Sequence, residues 1–215
     1  FGWPAERLAY LMAGGRDALV QSAEGAEDDA DAARSKIRES GVSADDVVIG
    51  VAASGRTPFT IAALNAANNA GALTIAIVNN AGTDLLSAAQ HGLLAATGSE
   101  AIAGSTRMKA GTAQKAILNL LSTAIMLRLG RVYRGLMVDM VISNDKLLKR
   151  AFGIVRALSN CSEAVAIEAV HLAQNDIKTA VLIALGKDPK AAADLLHQHH
   201  GILRDAVATL EGGVS

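Results

Sequence analysis

VVIGVAASGRTPF, residues 47–59, decides the architecture. Its first half, VVIGVA, is an almost unbroken apolar run rich in β-branched side chains and too short for a helix. Such a run reads as a strand covered on both faces, the pattern of a parallel sheet. The following ASGRTP gathers Ser, Gly, Thr and Pro and stops the strand, and Pro58 suits the first position of a helix that runs to Ala70 and ends at Gly71. Outward from this unit, RLAYLMA (7–13), LTIAIV (73–78) and LLAAT (93–97) repeat the strand signal. Helical stretches at 16–40, interrupted near Gly25, and at 83–90 fall between them. The alternation predicts right-handed βαβ crossovers in a three-layer α/β domain.

Residues 106–129 are the longest helix candidate. Ala113, Ile117, Leu120, Leu121, Ala124 and Leu127 recur at helical spacing, and Gly130 supplies the stop. The middle of this segment, AILNLLSTAIML, is apolar nearly all round, so it is either a core helix or lies at a subunit interface. From Asn144 onward the strand signals cease. Helices are expected at 144–159, 162–174, 176–185, 189–199 and 202–210, with Ser162 as an N-cap and Pro189 at a first helical position. The domain reading is an α/β domain over residues 1–145 and a small all-helical domain over 146–215.

Composition excludes several functions. The chain of 215 residues carries 20 Lys+Arg against 21 Asp+Glu, a net charge of −1, and only 3% aromatic residues. With no basic excess to release counterions and few rings to stack bases, nucleic acid is not an expected partner. The longest uncharged apolar-rich stretch, from Ala116, is cut short at Arg128, so no membrane span is expected. A single cysteine, Cys161, excludes an intrachain disulfide and suits a reducing, cytoplasmic setting. The histidines at 197, 199 and 200 do not share one helix face, so no metal site is expected.

Three stretches carry chemistry. Ser54, Gly55, Arg56 and Thr57 stand between a strand and a helix, where backbone N–H groups and hydroxyls suit a phosphate; the alternative is an ordinary turn with Thr57 as cap. The Gly-x-x-x-x-Gly-Lys pattern of nucleotide P-loops is absent from it. In EGAEDD (24–29), Glu24 and Glu27 would share a face if the helix continued, and their repulsion would raise one pKa toward proton-transfer work; solvated acid clusters read the same way. The stretch 98–115, with Glu100, Ser105, Thr106, Arg107 and Lys109, would form one wall of a pocket for an anionic substrate.

At these residues the chain resembles a known family. EAIAGSTRMKAGTAQKAILNLLSTAIM (100–126) and RGLMVDMVISNDKLLKRA (134–151), with VVIGVAASGRTPF, AEGAEDD (23–29) and HHGILRDAV (199–207), resemble the signature of the N-acetylmuramic acid 6-phosphate etherases. The resemblance implies a sugar isomerase (SIS) domain followed by a helical region. It also implies a lyase that cleaves the D-lactyl ether at C3 of N-acetylmuramic acid 6-phosphate, in recycling of cell-wall sugars, with no cofactor. In that reaction, opening the sugar ring places an aldehyde at C1 that acidifies the C2 proton. Removal of this proton expels lactate from C3, and water then adds back. By position, the resemblance makes Glu27 catalytic, Glu24 a sugar contact, and Ser54, Gly55, Arg56 and Thr57 the phosphate loop. Glu100 resembles the glutamate that SIS isomerases use for C2 proton transfer, with Ser105, Thr106 and Lys109 as further substrate contacts. SIS domains commonly pair, so a homodimer is expected.

Family members carry an earlier strand, a second phosphate loop and a further glutamate ahead of the point matching Phe1. The chain is therefore expected to be the C-terminal part of a longer protein, with an α/β domain incomplete at its N-terminus and weak or no activity of its own. Two alternatives share the architecture: a sugar-phosphate-binding regulator of the glucokinase-regulator type, and an SIS isomerase.

Overall fold

Three strands, β1 (Val47–Val51), β2 (Leu73–Val78) and β3 (His91–Leu94), pair in parallel in that order, Val47 opposite Leu73 and Ile75 opposite His91. They belong to a computed structural model that describes residues 2–21 and 23–212. The crossovers are α2 (Pro58–Asn69) and the short α3 (Asp84–Ala88), as the alternation of apolar runs and helical stretches predicts. α2 buries Leu64 with Ala76, Val78 and Leu85 on the sheet side, and Phe59, Ala62 and Ala63 against Ala33 and Ile37 of α1 (Ala30–Glu39). A helix covered on two sides has no need of a polar stripe, which explains its nearly uniform apolarity. The opposite face of the sheet leaves Val47, Ile49 and Leu73 exposed.

One expectation fails at the start of this unit. Residues 8–13 form no strand: a 3-10 turn (Ala5–Arg7) precedes them, Leu8, Tyr10, Leu11 and Met12 are exposed, and the Gly15 N–H closes a turn on the Met12 carbonyl at 3.0 Å. An apolar run becomes a strand only when a neighbour pairs with its backbone, and this run has no ladder partner among the described residues. The stretch 16–40 holds two further 3-10 turns, Arg16–Leu19 and Ala26–Asp28, before α1 begins behind its Asp29 cap.

The chain forms two compact units, one of residues 5–120 and one of residues 121–212 with residues 2–4. The division falls inside α4 (Lys109–Arg128), earlier than residue 145, because Tyr133, Val138 and Met140 share a buried cluster with Ala151, Ile154 and Val155. α4 ends as expected at Gly130: Arg131 N–H reaches the Met126 carbonyl at 3.0 Å and Gly130 N–H the Leu127 carbonyl at 3.1 Å, a Schellman closure. A hairpin that sequence patterning did not reveal follows, β4 (Val132–Tyr133) with β5 (Leu136–Met137). Its two-residue turn, Arg134 and Gly135, has both φ values positive, as such turns require.

The remaining helices are α5 (Asp145–Ser159), α6 (Glu163–Leu172), α7 (Ile177–Ala184), α8 (Pro189–Gln198) and α9 (Leu203–Gly212). Asn144, Ser162, Asp176 and Asp188 each accept an N–H of the following first turn. In this unit the buried Lys178 ammonium donates to the Gly201 carbonyl at 3.0 Å and to Asp139 at 3.4 Å, joining two of the signature stretches.

Candidate functional site

The carboxyl ends of β1 and β2 carry two loops that lock onto each other. In the first, residues 52–57, Gly55 adopts φ +65°, its N–H donates to the Ala52 carbonyl at 3.1 Å, and Arg56 N–H donates to Ser54 Oγ at 3.2 Å. Asn79 N–H and Asn80 Nδ2 both donate to the Ala53 carbonyl, at 3.1 and 2.8 Å, and Leu85 N–H donates to the Gly55 carbonyl at 3.0 Å. The second loop, residues 79–83, is thereby fastened beneath the first. Asn79 also donates to the Ala95 carbonyl at 3.0 Å and accepts from Gln114 Nε2 of α4 at 2.9 Å.

Thr57 stands at the N-cap of α2 and Pro58 at its first position, yet the Thr57 side chain makes no capping hydrogen bond. Pro58 has no N–H, and the N–H groups of Phe59 and Thr60 in the first turn of α2 receive no cap from the Thr57 side chain. Ser54 and Arg56 are exposed and Gly55 is buried. Two hydroxyls, a guanidinium and a helix N-terminus thus stand together on one tight turn, donor groups of the kind that suit an oxyanion.

The carboxylates occupy different settings. Glu100 caps α4: its Oε1 accepts Lys109 N–H at 2.9 Å and Ala110 N–H at 3.1 Å. Those bonds, the Ala110 N–H foremost and the Lys109 N–H next, hold its pKa below the usual Glu value. These hydrogen bonds favour the ionised form of the carboxylate. Glu24 and Glu27 are exposed on a turn that packs against α2. Gly25 at φ +69° breaks the helix between them, so the shared helical face expected for this pair does not form. Ser105 N–H closes a turn on the Ile102 carbonyl, and the Thr106 carbonyl accepts Gly111 N–H at 2.9 Å, both just ahead of or within the first turn of α4. In the helical unit His199 Nε2 pairs with Thr209 Oγ1 at 2.9 Å.

Over residues 2–68 the chain matches the family described as the glucokinase regulatory protein N-terminal SIS domain. Its curated relatives cover far more of it. An N-acetylmuramic acid 6-phosphate etherase of Mesorhizobium japonicum is 43% identical over 97% of this chain and 68% of its own length. Those of Edwardsiella ictaluri and Streptomyces coelicolor are 43% and 44% identical over 96% of the chain and 69% and 67% of theirs. The chain belongs to the N-acetylmuramic acid 6-phosphate etherase family.

Membership favours the etherase reading over the regulator alternative, since the etherase relatives match almost the whole chain and the regulator domain only its first third. The α/β unit is thus a SIS-type domain within an etherase-family chain. No helix among the described residues is long and apolar enough to cross a membrane. Sequence patterning missed Asn79, Thr83 and Gln114, which face the 52–57 loop or brace its neighbours only through tertiary contacts. The Asn-Asn pair directly after β2 was the one available signal.

The Glu100 cap has a pH consequence. Because its folded pKa is lowered, the stabilisation is present above the ordinary Glu range of about 4.3 and is lost as pH falls through the lower folded value. The amide resonances of Lys109 and Ala110 should titrate together on the acid side in the wild-type chain and stay flat over the same range in Glu100→Gln. Equal titration in both would show that Glu100 is not their partner.

Proposed function

We propose that this chain provides the sugar-phosphate-binding loop and a proton-transfer glutamate of an etherase acting on N-acetylmuramic acid 6-phosphate. The observation that carries the reading is the 52–57 turn: Gly55 in the left-handed region brings the Ser54 hydroxyl, the uncapped Thr57 hydroxyl and the α2 N-terminus to one end of the sheet. Ser54, Gly55, Arg56 and Thr57 hold the 6-phosphate, and Ser105, Thr106 and Lys109 line the sugar. Glu27 moves the proton at C2, with Glu24 beside the sugar. Glu100 is the second candidate for C2 proton transfer.

The chemistry follows from the substrate. In the open-chain sugar the C1 aldehyde stabilises the carbanion formed when C2–H is removed. The C3–O bond to lactate then breaks, its electrons leave with the lactate oxygen, which takes up a proton to balance the one removed from C2, and an alkene spans C2 and C3. Addition of water puts a hydroxyl on C3 and a proton on C2, giving N-acetylglucosamine 6-phosphate and D-lactate. General acid–base help of this kind contributes about 10²- to 10⁴-fold. Incubating the full-length gene product with the substrate should release D-lactate, whereas unphosphorylated N-acetylmuramic acid should be a far poorer substrate. Equal rates on the two would remove the phosphate loop from the account. A cytoplasmic place in cell-wall sugar recycling goes with this substrate.

A homodimer accompanies the proposal. Leu120 and Leu127, seven residues apart on one face of α4, are exposed, Leu120 to 70%, and a second copy would bury them by C2 packing. Light scattering at micromolar concentration is expected to give twice the chain mass; a monomer there would contradict the pairing.

A further inference from the structure

Thr83 is 2% exposed, and its Oγ1 has no hydrogen-bond partner. Buried hydroxyls normally find one, because desolvation without compensation is costly. The geometry shows why this one does not. Thr83 occupies the N-cap of α3, where its side chain would ordinarily accept a first-turn N–H. Both donors are already taken: Leu85 N–H goes to the Gly55 carbonyl at 3.0 Å and Leu86 N–H to the Thr83 carbonyl at 3.1 Å. The 52–57 loop has thus displaced Thr83 from capping its own helix. The side chain is turned instead onto Gly55, so closely that a Cβ built there would collide with Oγ1 and lie 2.6 Å from the Thr83 Cβ and 2.9 Å from its Cγ2.

We propose that the Thr83 hydroxyl is a further specificity-determining group of the phosphate cradle, donating to a phosphoryl oxygen of the bound sugar phosphate behind Ser54 and Thr57. This rests on the assignment of the 52–57 loop to the phosphate. The hydroxyl lies directly under the turn whose flanking residues carry the other two hydroxyls, and it is the buried side-chain oxygen or nitrogen without a partner among the described residues. Gly55 is packed against Oγ1, so a ligand oxygen reaches it by a local rotation of the Gly55 backbone on binding, which a residue without a side chain permits while Ser54 and Thr57 stay in place. A hydrogen bond to a charged group then satisfies the donor left idle in the free chain. It favours a phosphate monoester over the neutral sugar, which offers no oxyanion at that position.

The test is calorimetric titration of N-acetylglucosamine 6-phosphate, with unphosphorylated N-acetylglucosamine as control, into wild type, Thr83→Val, Thr83→Ser and Ser54→Ala. Thr83→Val keeps the shape and removes the hydroxyl. It is expected to melt at or above the wild-type temperature, since an unsatisfied group disappears, and to bind the phosphorylated sugar about 10-fold more weakly. Binding of the control sugar should not change, and Thr83→Ser should restore the phosphorylated sugar. Wild-type affinity in Thr83→Val, with Ser54→Ala weakened, would overturn the role of Thr83 while leaving the loop assignment intact. Wild type binding the two sugars equally, or neither, would overturn both. If Thr83→Val does not fold, Thr83→Ala replaces it under the same criteria.

Discussion

Glu27→Gln is expected to lower kcat for D-lactate release by roughly 10²-fold or more, with KM changed little. The substitution keeps the size and hydrogen-bonding reach of the side chain and removes its titration. An interaction made only while a proton is in flight is lost from kcat and kcat/KM together. Glu27 sits in a 3-10 turn, exposed and packed on the same α2 helix whose first turn follows the 52–57 loop. Glu24→Gln should be milder and fall mainly on KM, as a sugar contact would. Near-wild-type turnover in Glu27→Gln would make the acid cluster a solvated face and leave Glu100 as the proton-transfer candidate.

Gly55→Ala should damage both stability and binding. Its φ of +65° disfavours any side chain, by about 1 kcal/mol, and the new Cβ would drive into the buried Thr83 side chain, an overpacking that costs about 1–3 kcal/mol. Relief requires the turn to lift off the 79–83 loop, which breaks the bond from Leu85 N–H to the Gly55 carbonyl and misplaces Ser54 and Thr57. A loss of about 2–4 kcal/mol in stability, from the two terms together, and more than 10-fold in sugar-phosphate affinity is expected. Gly82→Ala separates the two causes. It has nearly the same φ, +64°, but open space around the new Cβ, so only the backbone cost applies. Equal effects at both positions would show that contact with Thr83 is immaterial.

What could be read in advance follows from where each signal resides. The strands at 47 and 73, the helices beyond 144, the Ser162 cap, Pro189 and the Gly130 stop are local: periodicity, a side-chain oxygen or a φ preference within a few residues determines them. The 7–13 run misled because a strand also needs a paired neighbour, which no local pattern supplies. The 132–137 hairpin is two residues per strand, too short for alternation to register. In the site, the 52–57 turn was legible from its Ser, Gly, Thr and Pro. The roles of Asn79, Thr83 and Gln114 were not, since each is defined by a contact across many residues. The expectation that Glu24 and Glu27 share a face assumed a continuous helix, and Gly25 in the left-handed region cancels it.

Turnover of N-acetylmuramic acid 6-phosphate in ¹⁸O-labelled water separates elimination across C2 and C3, followed by addition of water, from direct displacement. Elimination and hydration place the label in the C3 hydroxyl of N-acetylglucosamine 6-phosphate, and D-lactate keeps its original oxygen. A parallel run in deuterated water should place one deuterium at C2. Label in the lactate hydroxyl, with none at C3 and hydrogen retained at C2, would mean direct displacement at the lactyl carbon and would exclude elimination.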